Sequence, residues 1–142
     1  MERPRLNPPD PDAIKRAAQA LTSGRSSVLL LGADGLYGDG LRQAGRIAAV
    51  TGARLLCPTS TPRRERGSGR VPVQPLRYFG EHIEEDLAGV ESMVIAGARP
   101  PVSFFAYPGK ASWLTPQGCE ITYASQAHES AAAALAALAD EL

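Results

Sequence analysis

The residues with the clearest potential for chemistry are small ones that follow the first long apolar run. That run ends at Gly32, and glycines recur three and six positions further on. Glycines at the end of a parallel strand let the backbone approach the phosphates of a nucleotide, and ligands of α/β domains bind where the strands end. The sequence therefore marks Gly32, Ala33, Asp34 and Gly35 as the candidate cofactor-binding loop.

The spacing of this loop departs from that of dinucleotide-binding proteins. Their fingerprint is G-x-G-x-x-G, with an acidic residue about 20 positions further on that holds the ribose. Residues 53–60 contain neither Asp nor Glu, and Asp34 lies where its charge would repel a pyrophosphate. Two interpretations remain open: a strand-to-helix turn that needs small residues for close packing, or a site for a nucleotide-type ligand.

Constellations for catalysis or metal binding are not found in the sequence. Cys57 and Cys119 share no ligand spacing with His82 or His128, so a zinc site is not expected. No G-x-S-x-G elbow is present, and neither cysteine has a convincing histidine partner. We predict no catalytic residue and no metal ligand. The two cysteines are expected to be buried free thiols in a reducing compartment, and His82 is expected to face solvent.

Two further stretches carry side chains that suit binding. The first holds Arg63, Arg64, Arg66 and Arg70, and it is either a solvated loop or a segment that orders against another domain or a ligand phosphate. The second holds half of the Phe, Tyr and Trp residues of the chain, at Phe104, Phe105, Tyr107 and Trp113. It is either a lid on its own domain or an interface or substrate-facing wall.

Helices and strands are predicted to alternate along the chain that carries these residues. Helical spacing of apolar residues predicts helices over 11–21, about 40–52, 81–87 and from about 127. Apolar runs predict strands over 28–31, 53–57, 92–98 and 120–123, with a short edge strand at 71–73. This alternation predicts a three-layer, Rossmann-like α/β domain with a parallel sheet of five or six strands.

Length and charge limit the classes of protein further. The chain has 142 residues, and its 15 Lys and Arg residues balance 15 Asp and Glu residues. A balanced charge gives no field toward nucleic acid or an anionic membrane. No apolar run approaches the roughly 20 residues of a membrane span. We expect one domain over residues 1–142, in the cytoplasm, without nucleic-acid or membrane partners.

Several stretches, taken in order, resemble the central domain of thiamine diphosphate-dependent enzymes of the acetolactate synthase type. They are residues 11–21, 26–32 (SSVLLLG), 41–53 and 90–99 (VESMVIAGAR). Residues 101–110, PVSFFAYPGK, are similar to a divergent branch of acetolactate synthase large-subunit-like proteins. The resemblance implies a DHS-like central domain of the NAD/FAD-binding type.

The resemblance also implies a parent enzyme of three domains that decarboxylates and ligates 2-oxo acids with thiamine diphosphate and Mg²⁺. In this family the amino-terminal domain supplies a glutamate that activates the cofactor, and the carboxy-terminal domain holds the diphosphate through the metal. The central domain spaces and joins the other two, and in some members it binds FAD or ADP. The implied partners are therefore those two domains, in a homo-oligomeric parent, and the chain alone should be inactive.

Two features of the chain depart from the family pattern. Gly38-Asp39-Gly40 matches the start of the family's metal motif, but the only asparagine, Asn7, lies upstream, so no Mg²⁺ site is expected here. Asp34 makes FAD binding doubtful, and no cofactor is expected in the chain alone. The alternative hypothesis is a free-standing, nucleotide-binding Rossmann-like module.

Overall fold

The computed structural model describes residues 6–101 and 114–142. The strands are β1 (Ser27–Leu31), β2 (Arg54–Cys57), β3 (Gln74–Pro75), β4 (Ser92–Ala96) and β5 (Glu120–Ser125). The helices are α1 (Pro11–Leu21), α2 (Gly38–Thr51), α3 (Gly80–Asp86) and α4 (Ala131–Glu141). A short 3-10 helix, Ala33–Leu36, joins β1 to α2.

The sheet of the described residues is parallel throughout and has the strand order β3-β2-β1-β4-β5. Its central strand is β1, where Leu29 pairs with Leu55 of β2 on one side and with Val94 of β4 on the other. The chain builds outward from β1 to β3, and then returns to place β4 on the opposite side of β1. The boundary between β1 and β4 is therefore the switch point at which α/β sheets form a ligand crevice.

Helices cover both faces of this sheet, which explains the uninterrupted apolar run of β1. Leu29 and Leu31 join a core with α1, α2 and α4. Val28 and Leu30 point to the other face and join a second core, formed with α3 and the residues that follow it. The predicted three-layer α/β domain with a parallel sheet is confirmed, and the described residues contribute five strands.

The start of α1 follows directly from its sequence. The Asp10 carboxylate accepts a hydrogen bond from the Asp12 N–H at 3.0 Å, and proline occupies the first helical position. An acidic cap satisfies a backbone N–H that has no partner within the helix, and proline at this position has no N–H to satisfy. The buried face of α1 includes Ile14, Ala17 and Leu21, as the apolar spacing predicts.

Three element boundaries differ from those expected from the sequence. The edge strand lies at Gln74–Pro75 and not at 71–73, because these two residues are the ones that pair with Leu56 and Cys57 of β2. Val71 instead packs against α2, where a Cβ on Gly45 would lie 3.3 Å from the Val71 Cβ. Helix α2 begins at Gly38, two residues before the start at about residue 40 that the sequence predicts. Helix α4 begins only at Ala131, because the hydroxyl of Ser130 caps it.

The two cysteines and His82 occupy different environments. Cys57 is buried and Cys119 is partly buried, and both are free thiols. They belong to cores on opposite faces of the sheet, and burial raises the pKa of the Cys119 thiol. His82 is half-buried and meets the Phe79 ring edge-on, with 6.0 Å between ring centroids, so the expectation that it simply faces solvent is corrected.

None of the helices within residues 6–101 and 114–142 is long and apolar enough to cross a membrane.

Candidate functional site

The two glycine turns that follow β1 and β4 pack directly against each other. The Gly32 N–H donates to the Ala96 carbonyl at 2.9 Å. A Cβ at Gly32 would lie 2.2 Å from the Gly97 carbonyl oxygen, and one at Gly97 would lie 2.5 Å from the Gly32 carbonyl oxygen. The space beside Gly32 is thus filled by the backbone of the β4 turn.

Asp34 lies at the amino end of α4. Its Oδ2 accepts a hydrogen bond from the Ser130 hydroxyl at 2.7 Å, and its Oδ1 accepts one from the Ala131 N–H at 2.9 Å. The Ser130 hydroxyl in turn accepts from the Ala133 N–H at 3.1 Å. A carboxylate is stabilised at this end of a helix by the unpaired N–H groups and the helix dipole. The Asp34 carboxylate therefore ties the turn after β1 to the start of α4.

Glu65 holds the equivalent place on α2. Its Oε1 accepts a hydrogen bond from the Gly38 N–H at 3.0 Å, and its Oε2 accepts one from Arg70 Nε at 2.9 Å. The Arg63 guanidinium lies 3.6 Å from the same carboxylate and 4.0 Å from the centroid of the Tyr37 ring. The arginine-rich loop is thus attached through Glu65 to the amino end of α2.

A crevice of about 420 Å³ lies at the carboxyl ends of β1 and β4, at the switch point of the sheet. Leu30, Leu76 and Ile83 contribute apolar walls, and Ala33 and Gly97 also line it. Ala33 has a φ of +49°, a left-handed conformation that is unfavourable for any residue with a Cβ. Of the candidate loop residues, Ala33 lines this crevice, whereas Asp34 points to α4.

Most of the described side chains that line the crevice are apolar or uncharged. Among the described residues that line it, the charged ones are Arg99 and Glu129, and none is His, Cys or Ser. In the described part of the chain, no three His, Cys, Asp or Glu residues come together as a metal site requires. Asp39, from the Gly-Asp-Gly triplet, forms an ion pair with Arg42 one turn along α2.

The aromatic residues expected to form a lid or an interface, Phe104, Phe105, Tyr107 and Trp113, lie outside the described residues. The structure does show where their segment is attached. The Leu114 N–H donates to the Pro101 carbonyl at 3.2 Å, and Pro101 lines the crevice. The two residues that flank this segment, Pro101 and Leu114, are therefore hydrogen-bonded to each other beside the switch point of the sheet.

Two residues that shape this edge were not identified from the sequence. Ser130 could have been, because a serine directly before a helical Ala/Leu run is a typical helix cap. Glu65 carried no local signal, because its partner Gly38 lies 27 residues earlier in the chain.

Comparisons with known proteins relate the chain to parts of larger ones. It is 48% identical over 132 residues to a Mycobacterium tuberculosis protein with the provisional name acetolactate synthase large subunit IlvX, and this match covers 93% of the chain and 25% of the relative. No protein-family model matches the chain.

Two of the solved structures with the same fold are decarboxylases. The benzoylformate decarboxylase of Polynucleobacter necessarius superposes with a TM-score of 0.71 at 19% identity, over 99% of this chain and 28% of that one. The thiamine diphosphate-dependent 4-hydroxybenzoylformate decarboxylase of Rhodococcus jostii RHA1 superposes with a TM-score of 0.68 at 18% identity, over 99% of this chain and 29% of that one. These identities show the fold alone.

The chain thus spans about 25% of the length of the curated relative that it matches. Together with the shared fold, this match confirms the resemblance to a domain of thiamine diphosphate-dependent enzymes.

Proposed function

We propose that this chain, which is similar to part of an acetolactate synthase large-subunit-like protein and has the fold of a domain of thiamine diphosphate-dependent enzymes, is the non-catalytic central domain of such an enzyme. The observation that supports the proposal is that one match covers nearly all of this chain but only a small part of the relative. Identity of 48% extends over 93% of this chain but over only 25% of the relative. The chain therefore corresponds to about a quarter of that relative, and we assign the catalytic groups to the parts of the enzyme outside it.

In this proposal the parent enzyme decarboxylates and ligates 2-oxo acids. Thiamine diphosphate and Mg²⁺ are held by the amino- and carboxy-terminal domains, which are the partners of this chain, in a homo-oligomer. The two free cysteines support a reducing, cytoplasmic location.

The proposed task of the domain is to space its neighbours and to offer them the aromatic segment. Both ends of that segment are joined at Pro101 and Leu114, beside the edge of the sheet where ligands of α/β domains bind. Aromatic side chains are enriched at protein interfaces and supply a large apolar area there. We therefore propose that Phe104, Phe105, Tyr107 and Trp113 contact an adjoining domain or face its substrate.

Trp113 provides a direct test of this interface, because it is the only tryptophan of the chain. In the isolated chain its fluorescence should be readily quenched by acrylamide. In a longer version of the protein that includes the adjoining domains, quenching at Trp113 should fall, with other tryptophans replaced by phenylalanine. Strong protection already in the isolated chain would instead indicate a lid on its own domain.

Catalysis is tested by supplying the purified chain with pyruvate, thiamine diphosphate and Mg²⁺. We expect neither CO₂ release nor acetolactate above the level of a protein-free blank, because the reaction needs a cofactor that is bound and activated. A known acetolactate synthase in the same assay is the positive control. Turnover that follows the concentration of the chain would overturn the non-catalytic assignment.

A further inference from the structure

We propose that the carboxylates of Asp34 and Glu65 are built-in anions, which occupy the positions where the phosphates of FAD or ADP would bind and make the domain independent of a nucleotide. The inference depends on the proposed function only in the choice of these two nucleotides as probes. It concerns the chain's own residues, so it holds or fails separately from the reaction of the parent enzyme.

The amino end of α4 is already occupied by the carboxylate of Asp34. Phosphates bind helix amino ends because unpaired N–H groups and the helix dipole favour an anion there. At α4 the Asp34 carboxylate already accepts from the Ala131 N–H at 2.9 Å and from the Ser130 hydroxyl at 2.7 Å. The Ala133 N–H is satisfied by Ser130 at 3.1 Å. A phosphate at this end would have to displace Asp34.

The amino end of α2 is occupied in the same way by the carboxylate of Glu65. This helix follows the glycine turn after β1, which is the position that binds the pyrophosphate in nucleotide-binding α/β domains. Here the Glu65 carboxylate accepts from the Gly38 N–H at 3.0 Å, and Arg70 and Arg63 balance its charge at 2.9 and 3.6 Å. The backbone fixes the same loop, because the Glu65 N–H donates to the Leu36 carbonyl at 2.9 Å.

The glycine turn after β1 is close-packed on the turn after β4. A Cβ at Gly32 would lie 2.2 Å from the Gly97 carbonyl oxygen, so the first glycine after β1 serves the tight turn. The observations that disagree with binding of FAD or ADP are those at α2 and α4, where a carboxylate of the chain already accepts a hydrogen bond from an N–H group at the amino end of the helix.

The experiment compares thermal unfolding of the full chain with that of two variants. Asp34→Ala empties the anion position at α4. Asp140→Asn removes a carboxylate that is 76% exposed and lies in the last turn of the same helix. We expect FAD and ADP to leave the melting temperature of the wild type unchanged. Asp34→Ala should melt about 3–6 °C lower, and inorganic phosphate should recover part of this loss in that variant but not in the wild type or Asp140→Asn.

If Asp34→Ala fails to fold, Asp34→Asn replaces it, since this variant keeps the shape and loses the charge. It should melt lower than the wild type and gain the same response to phosphate. The proposal is overturned by any of three results: FAD or ADP raises the melting temperature of the wild type, the chain is purified with bound flavin, or both Asp34 variants show no greater response to phosphate than Asp140→Asn.

Discussion

At the scale of single residues, Gly97 shows most clearly what the edge of the sheet requires. Its φ is +78°, and a Cβ there would lie 2.5 Å from the Gly32 carbonyl oxygen and 2.8 Å from the Ala131 Cβ. Gly118 has a nearly identical φ of +81°, but a Cβ there would have no atom within 4 Å. The two glycines share the conformational requirement and differ in the space around them.

Replacing each of these glycines by alanine should separate the two effects. Gly118→Ala should lower the free energy of unfolding by about 1–2 kcal/mol, the cost of a left-handed alanine. Gly97→Ala should lower it by a further 1–3 kcal/mol or so, because the methyl group overlaps backbone that cannot easily shift. Urea unfolding measures both values. Equal losses in the two variants would show that the turns after β1 and β4 do not approach each other so closely.

Single residues also show where inference from sequence stops. The spacing of the glycines after β1 and the absence of an acidic residue in 53–60 are visible in the sequence, and they depart from the fingerprint of dinucleotide-binding proteins. The partner of Asp34 is not visible, because Ser130 lies 96 residues further on. Repulsion between Asp34 and a phosphate can be predicted from the charge of the residue alone. Its hydrogen bonds to Ser130 and Ala131 can be seen only in the folded structure.

At the scale of elements, the amino end of α4 shows how the start of a helix is fixed. Ser130 caps the helix by accepting from the Ala133 N–H, and its hydroxyl also donates to Asp34. Ser130→Ala should lower the free energy of unfolding by about 1–2 kcal/mol, since both contacts are lost. The measurement is again urea unfolding.

Ser92 of β4 is the matched control for this substitution. Its hydroxyl is buried and has no hydrogen-bond partner among the residues that the structure describes. Burial of an unpaired hydroxyl costs free energy, so Ser92→Ala should be neutral or should stabilise the domain by up to about 1 kcal/mol. A clear loss of stability in this variant, equal to that in Ser130→Ala, would contradict the assignment of Ser130 as the specific cap.

The elements differ in how well their sequences predict them. Strands β1 and β4 are buried on both faces, so their apolar runs identified them. The sequence predicts the edge strand at 71–73, whereas it lies at Gln74–Pro75. Only two residues pair there, and so short a strand leaves little pattern in the sequence. Val71 and Val73 suggested a strand, but they pack against the core that includes α2.

At the scale of the whole molecule, the layer order and the parallel sheet followed from the alternation of helices and strands. The alternation does not give the order of the strands in the sheet. In the structure the chain returns from β3 to place β4 beside β1, so the switch point lies between β1 and β4. The crevice, the contact between Gly32 and Gly97, and the hydrogen bond between Leu114 and Pro101 all lie at this point. The proposed surface toward other domains is therefore one edge of the sheet.

The most direct test of the central claim is a calorimetric titration of the purified chain with thiamine diphosphate in the presence of Mg²⁺, with Mg²⁺ alone as the control. A non-catalytic central domain should give no heat of binding beyond dilution, because the proposal places the groups that hold the diphosphate and its metal in the adjoining domains. Saturable binding of thiamine diphosphate with one site per chain would contradict the account.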